Sequence, residues 1–202
     1  MRLFSSFSWP TWRLLVFVAA GLPGLAACSS GGSTDAGDSA TAENEQKIGA
    51  EDVTAKQEAD AEFLVKITSN ALLEVELGKL AQARATTPVV RAYGTRLVQQ
   101  RLELLSAVRA LAAAKNLVVP SALGGDEQAA YHEVSTKAGS QLDKDVIDLL
   151  LKAQKQDEDA LDDMKEDAYD GDIRGFAAKF HTPVQQELAG AEEVADTIED
   201  LP

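Results

Sequence analysis

Glu74 stands where an apolar residue is expected. In the run Ser69–Ala83, SNALLEVELGKLAQA, a turn of 100° per residue gathers Phe63, Ile67, Ala71, Gly78 and Ala81 into roughly one quadrant of a helix. Glu74 falls inside that quadrant, whereas Glu76 points elsewhere. A carboxylate on a core face has to be paired, protonated or bound to a cation. The residues able to meet it stand on other apolar faces of the chain: Arg101, Gln154, Asp157 and Glu187. Two chemistries are open to this set. With Arg101 as the cation, the five side chains form a closed, buried polar layer. With a divalent metal ion instead, Glu74, Asp157 and Glu187 are the ligands.

A second chemistry sits near the N-terminus. Met1–Ala27 carries Arg2 and Arg13, then the apolar run Leu14–Ala20, and ends in Leu25-Ala26-Ala27 ahead of Cys28. A charged start followed by a short apolar stretch reads as a signal peptide, too short for a stable membrane span. Small residues before a cut and a thiol just after it are what lipoprotein processing requires, because the thiol takes up the diacylglycerol. Cys28 is the single cysteine, so no intrachain disulfide forms. A diacylglycerol with an N-acyl chain suffices for stable membrane attachment. Ser29, rather than an aspartate, follows the cysteine, the pattern of outer-membrane sorting in a Gram-negative cell.

Other chemistries find no support. There is no Gly-x-Ser-x-Gly, no glycine-rich phosphate loop and no Ser–His–Asp set at a workable spacing. His132 and His181 have no second ligand at helical spacing on a core face and read as surface or boundary residues. The acidic run Asp157–Asp172 lacks the alternating ligands and fixed glycine of a calcium loop and reads as a solvated face. Removing Met1–Ala27 takes away two arginines and moves the formal charge from −14 to −16. That balance argues against nucleic acid and anionic headgroups as partners.

The positioning elements are helical. Residues 28–58 are rich in Ser, Gly, Ala, Thr, Asp and Glu and almost free of large apolar side chains; they read as a lipidated cysteine followed by a disordered acidic tether. Residues 59–202 read as one domain with four long helices. The first covers about Asp60–Ala85 and the second about Pro88–Asn116, with Thr87 as N-cap and Pro88 at its first position. A short helix is expected over Asp126–Ala138. The third long helix covers Ser140 to about Tyr169, with Ser140 and Asp143 as a capping pair. The fourth runs from Asp172 to about Ile198. Pro183 inside it removes the hydrogen bond to the Lys179 carbonyl and predicts a kink rather than a break, because Phe176, Phe180, Val184 and Leu188 keep one apolar phase.

The first connection is about three residues, so helices one and two are antiparallel. The link to the third helix is about 23 residues, enough to cross the bundle and let helices two and three run parallel. Glu74, Arg101, Gln154, Asp157 and Glu187 each lie near the middle of their helices, so one level of the bundle collects them. Arg101, with five donors, is expected to satisfy Glu74 and either Glu187 or Gln154. No strand signal and no internal repeat stands out.

Several stretches carry a resemblance. They are Leu73-Glu74-Val75-Glu76-Leu77-Gly78-Lys79-Leu80-Ala81, Pro88-Val89-Val90-Arg91-Ala92-Tyr93-Gly94 with Leu97-Val98, Leu142-Asp143, and Thr182-Pro183. In these the chain resembles the bacterial exported proteins of the domain of unknown function 4142. The resemblance spans Asp60 to about Ile198 and implies an all-α, ferritin-like four-helix bundle with a short extra helix in its long connection. Glu74 matches a glutamate typical of that family. Gln100-Arg101 replaces the family's Asp-His pair, and Gln154 and the Glu187-Leu188 step stand where it has further histidines. The departures count against carrying over a metal role.

Three functions fit these residues. The first is a non-enzymatic envelope lipoprotein, held in the membrane by its lipid and binding an envelope partner or serving envelope maintenance or stress. The second is a ferritin-like metal binder or oxidase using Glu74, Asp157 and Glu187. The third is a small-molecule binder using the bundle interior.

Overall fold

The structure, a computed structural model, describes residues 35–49 and 55–199. Six helices form: α1 (Ala36–Gly49), α2 (Ala55–Arg84), α3 (Pro88–Ala114), α4 (Gly125–Ser135), α5 (Gly139–Asp167) and α6 (Gly171–Glu199). No strand occurs among the described residues. The fold is an all-α bundle of the four long helices α2, α3, α5 and α6.

Hydrogen bonds at the bundle ends fix the directions. Near the start of α2, Asp60 accepts from the backbone N–H of Tyr169 and Asp170 (3.0 and 2.7 Å), in the α5–α6 turn. Just beyond the end of α2, Thr86 and Thr87 donate to Asp143, near the start of α5. Helices α2 and α5 are therefore antiparallel. At the end of α3, Lys115 pairs with Asp170 and Asp172 (2.7 and 2.6 Å) at the start of α6, so α3 and α6 are antiparallel too. It follows that α3 and α5 run parallel, and the connection carrying α4 crosses the length of the bundle. This is the arrangement of ferritin-like bundles with one long crossover.

Helix α6 passes unbroken through Pro183, as its apolar phase predicts. Gly78 and Gly94 let α2 and α3 approach closely. A Cβ at Gly94 would lie 2.7 Å from the Gly78 carbonyl oxygen, and one at Gly78 would lie 2.8 Å from Val98 Cγ2.

Three expectations are corrected. Residues 36–49, read as part of a disordered tether, form α1, and α2 starts at Ala55 rather than Asp60. Alanines make this segment helix-competent. A helix laid on an existing bundle needs only a narrow stripe, here Ala40, Asn44 and Ile48 at four-residue spacing. Residues 28–34 and 50–54 of the expected tether and the signal segment, with Cys28 among them, lie outside the described residues. Ser140 and Asp143 do not cap α5, whose N-cap is Ala138. Asp143 instead takes four hydrogen bonds from the α2–α3 turn, from the backbone N–H and hydroxyl of both Thr86 and Thr87. Those N–H groups lead into a helix and outbid a local cap.

The third correction concerns repetition. The hairpin α2–α3 matches α5–α6 at a constant offset of 83 residues. Asp60 corresponds to Asp143, and each caps the turn of the opposite hairpin. Arg91 donates to the Ala85 carbonyl (2.6 Å), and its counterpart Arg174 donates to the Ala168 carbonyl (2.9 Å), Ala85 and Ala168 being counterparts too. Core positions follow: Leu64 and Ile147, Ile67 and Leu150, Val90 and Ile173, Tyr93 and Phe176, Leu97 and Phe180. The bundle is two related hairpins about a pseudo-twofold axis. Identities are too few to show along the chain; the equivalence appears in shared contacts.

Candidate functional site: a buried polar layer

The apolar core is divided. One cluster contains Phe63, Leu64, Ile67, Val108, Leu161, Phe176 and Phe180. The other contains Leu77, Leu80, Val90, Leu97, Val146, Ile147, Leu150 and Val194. Between them lie the polar residues singled out in the sequence. Glu74, Arg101 and Gln154 are fully buried, Asp157 is 1 % exposed and Glu187 6 %. All four long helices contribute, each from near its midpoint.

Arg101 is the hub. Its Nε donates to Glu74 Oε2. Its Nη2 lies 2.9 Å from Glu187 Oε2, an ion-pair contact that is not aligned as a hydrogen bond. Asp157 Oδ1 accepts from the Asn70 amide at 2.7 Å. The Gln154 amide donates to the Tyr93 hydroxyl at 2.7 Å, leaving that hydroxyl to donate to the Glu187 backbone carbonyl at 3.2 Å. The structure thus brings all five residues to one level, with Glu187 rather than Gln154 beside the guanidinium. Asn70 and Tyr93 complete the layer and escaped the sequence reading. Asn70, four residues before Glu74 and therefore on its face, was the available signal. Tyr93 has an apolar ring that suits a core face, and only the structure shows where its hydroxyl ends.

The electrostatics are unbalanced, with one guanidinium facing three carboxylates. Burial drives the Glu74 carboxyl well above its ordinary value, against the opposing pull of Arg101. Burial likewise raises Asp157 to about 6, opposed by Arg101 and by the Asn70 hydrogen bond. Glu187 is raised by burial and held back by Arg101. For Arg101 burial disfavours the charge, but Glu74, Glu187 and Asp157 outweigh it and hold the guanidinium protonated. Among the described residues, five buried side-chain polar atoms make no hydrogen bond, all of them in this layer: Glu74 Oε1, Arg101 Nη1 and Nη2, Asp157 Oδ2 and Glu187 Oε2. Burial and mutual repulsion thus work against ionising all three carboxylates, and Arg101 works for it.

A divalent ion fits this set poorly. Arg101 touches two of its three carboxylates, and a second cation so close would be repelled strongly in a low-dielectric interior. Among the described residues no group of three or more His, Cys, Asp or Glu is arranged to hold a metal ion. His181 lies on the flank of the bundle, 3.3 Å from Glu158 and 3.1 Å from Asp162. His132 stands exposed on α4. A cleft of about 270 Å³ opens between α2, α4 and α5, with Asn70, Leu149 and Ala153 in its wall. Asn70 stands between that cleft and Asp157. Of the described helices none is long and apolar enough to cross a membrane.

A family model described as a domain of unknown function, DUF4142, matches residues 45–194. The chain belongs to the DUF4142 family. The match takes in the end of α1, both hairpins and the crossover, so the polar layer lies wholly within the DUF4142 domain. No curated protein and no solved structure matches the chain.

Proposed function

We propose that this DUF4142 protein is a lipid-anchored protein of the bacterial envelope whose helical domain works by binding an envelope partner, not by catalysis. The observation that carries the non-catalytic half is the closure of the bundle centre by Arg101. Its ion pairs with Glu74 and Glu187 occupy the place where reactive carboxylates would otherwise be free. The anchoring half rests on Leu25-Ala26-Ala27-Cys28, which offers small residues before a thiol. The lipid holds the protein to the membrane, in outer-membrane sorting facing the periplasm. The layer works without a cofactor, its fixed cation standing in for a metal's charge.

Radiolabelled palmitate and cell fractionation test the anchor. Wild type is expected to take label and sediment with membranes, and Cys28→Ser to do neither. Unlabelled wild type found free in the periplasm would overturn the reading. Metal analysis of the Cys28→Ser mature chain, purified without chelator, tests the layer. Far less than one equivalent of iron, manganese or zinc is expected. Stoichiometric metal would instead favour Glu74, Asp157 and Glu187 as ligands.

A further inference from the structure

Helix α1 is attached to the bundle in an unusual way. It lies antiparallel along the first half of α2, with Gly37 facing Ser69 and Ile48 sharing a cleft with Glu58 and Ala61. Only Ala40, Asn44 and Ile48 of its residues are buried, so little apolar area holds it. Two side chains supply the rest. The Asn44 amide donates to the Val118 carbonyl at 2.7 Å and accepts from the Val118 N–H at 2.6 Å, closing a two-way bond with the crossover. The Asp35 carboxylate accepts from Gly37 N–H at the start of α1 (2.8 Å) and from Gly125 N–H at the start of α4. It thus bridges two helix N-termini, where negative charge is favoured. Gly124 makes room for it, since a Cβ there would collide with both Asp35 oxygens.

The position of this attachment along the chain gives it a consequence. Asp35 lies seven positions after Cys28, and Ala55 lies 27 positions after it. At about 3.4 Å per extended residue, seven residues span at most ~25 Å. With α1 released but still helical, the chain from Cys28 to Ala55 spans up to ~65 Å, and fully extended ~90 Å.

We propose that α1 is a releasable clasp that sets how far the bundle can stand from the membrane. Docked, it pins the crossover, at Val118 and Gly125, within a short tether of the lipidated cysteine. Released, it more than doubles the reach without unfolding the bundle, whose core does not include α1. The proposal rests on the lipid anchor at Cys28. The docking contacts are few and mostly hydrogen bonds at the rim, as expected of a segment that opens locally at lower cost than the core.

The test uses the lipidated mature chain on phosphatidylcholine vesicles carrying a headgroup acceptor dye. A donor is placed at Leu102→Cys, an exposed position, the thiol of Cys28 being blocked by lipid. Wild type should show strong energy transfer. Asn44→Ala and, independently, Gly124→Ala should each lower it by about half or more, as expected when a donor moves tens of ångströms along a longer tether. Hydrogen exchange on the same samples should show α1 amides exchanging about tenfold or more faster in both variants, with α2–α6 unchanged. Equal transfer in all three proteins overturns the clasp, as does wild-type α1 exchanging as freely as in the variants. A chain that never binds vesicles or takes palmitate fails on the anchor instead. Hydrogen exchange distinguishes the two failures, because it reads the docking of α1 without the membrane.

Discussion

The two hairpins agree at their ends and differ at their centres. Asp60 and Asp143 cap opposite turns, and Arg91 and Arg174 bond the carbonyls of counterpart alanines. At mid-height, Glu74 and Asp157 remain a matched pair of carboxylates. Around them the match fails: Arg101 corresponds to Val184, Gln154 to Ala71, and Glu187 to Leu104. The turns are held by backbone groups whose demand is the same in both halves. The centre lies on the pseudo-axis, where both carboxylates face one space. One cation serves both sides there, so the second hairpin needs none. Symmetric ends with an asymmetric middle are what two related hairpins reach when they share a single buried site.

The largest test removes the shared cation. Arg101→Ala strands Glu74 and Glu187 and should cost about 3–5 kcal/mol in urea unfolding, the range for one partner lost from a buried pair. Val184→Ala, at the counterpart position, should cost about 1–3 kcal/mol, as for a buried apolar truncation. A double-mutant cycle of Arg101→Ala with Glu74→Ala should give clear coupling; a coupling of zero would mean that the central asymmetry carries no energy.

The glycines beside the layer come next. Gly78 and Gly94 correspond to Leu161 and Ala177, so the first hairpin is stripped of side chains where the second carries them. Gly94→Ala pushes a methyl onto the Gly78 carbonyl and should cost about 2–3 kcal/mol by overpacking. A neutral effect would show that α2 and α3 can part without loss.

The carboxylate pair separates by titration. Asp157 is raised by burial to about 6 from an ordinary 3.8. The folded state therefore keeps a proton that the unfolded chain releases. Its contribution is fully present below about pH 4 and is lost as pH rises through about 6. Asp157→Asn should flatten that decline and stabilise the protein at neutral pH by roughly 2 kcal/mol, while Asn70 keeps an acceptor. An unchanged pH profile between 4 and 7 would show that Asp157 does not carry this titration.

The smallest effect compares the two caps. Asp143 takes four hydrogen bonds and Asp60 two. Asp143→Ala should cost about 2 kcal/mol and Asp60→Ala about 1, from bonds to a charged acceptor. Although burial opposes its charge, the bonds from Thr87 and Thr86 hold Asp143 below the ordinary carboxylate range. Its share of stability is thus present above the unfolded value and lost as pH falls through the lower folded one. An Asp60→Ala loss equal to that of Asp143→Ala would show that the number of bonds does not decide the strength of the cap.

The sequence by itself determined the four long amphipathic helices and the polar residues on their inner faces. Helical phase is local: Phe63, Ile67 and Ala71 orient Glu74 whatever the rest of the chain does. Their mid-helix positions also placed the five side chains at one level, because midpoints meet in parallel and antiparallel neighbours alike. Tertiary structure decided what depends on distances between helices. It chose Glu187 over Gln154 for Arg101 and sent Tyr93's hydroxyl to Glu187's backbone. It drew Asp143 away from its own helix to the Thr86–Thr87 turn, where unpaired N–H groups favour a carboxylate more strongly. It also ordered α1: a stripe as narrow as Ala40, Asn44 and Ile48 has too little surface to fold alone, and acquires a structure only against α2 and the crossover, where Val118 meets Asn44 and Gly125 meets Asp35.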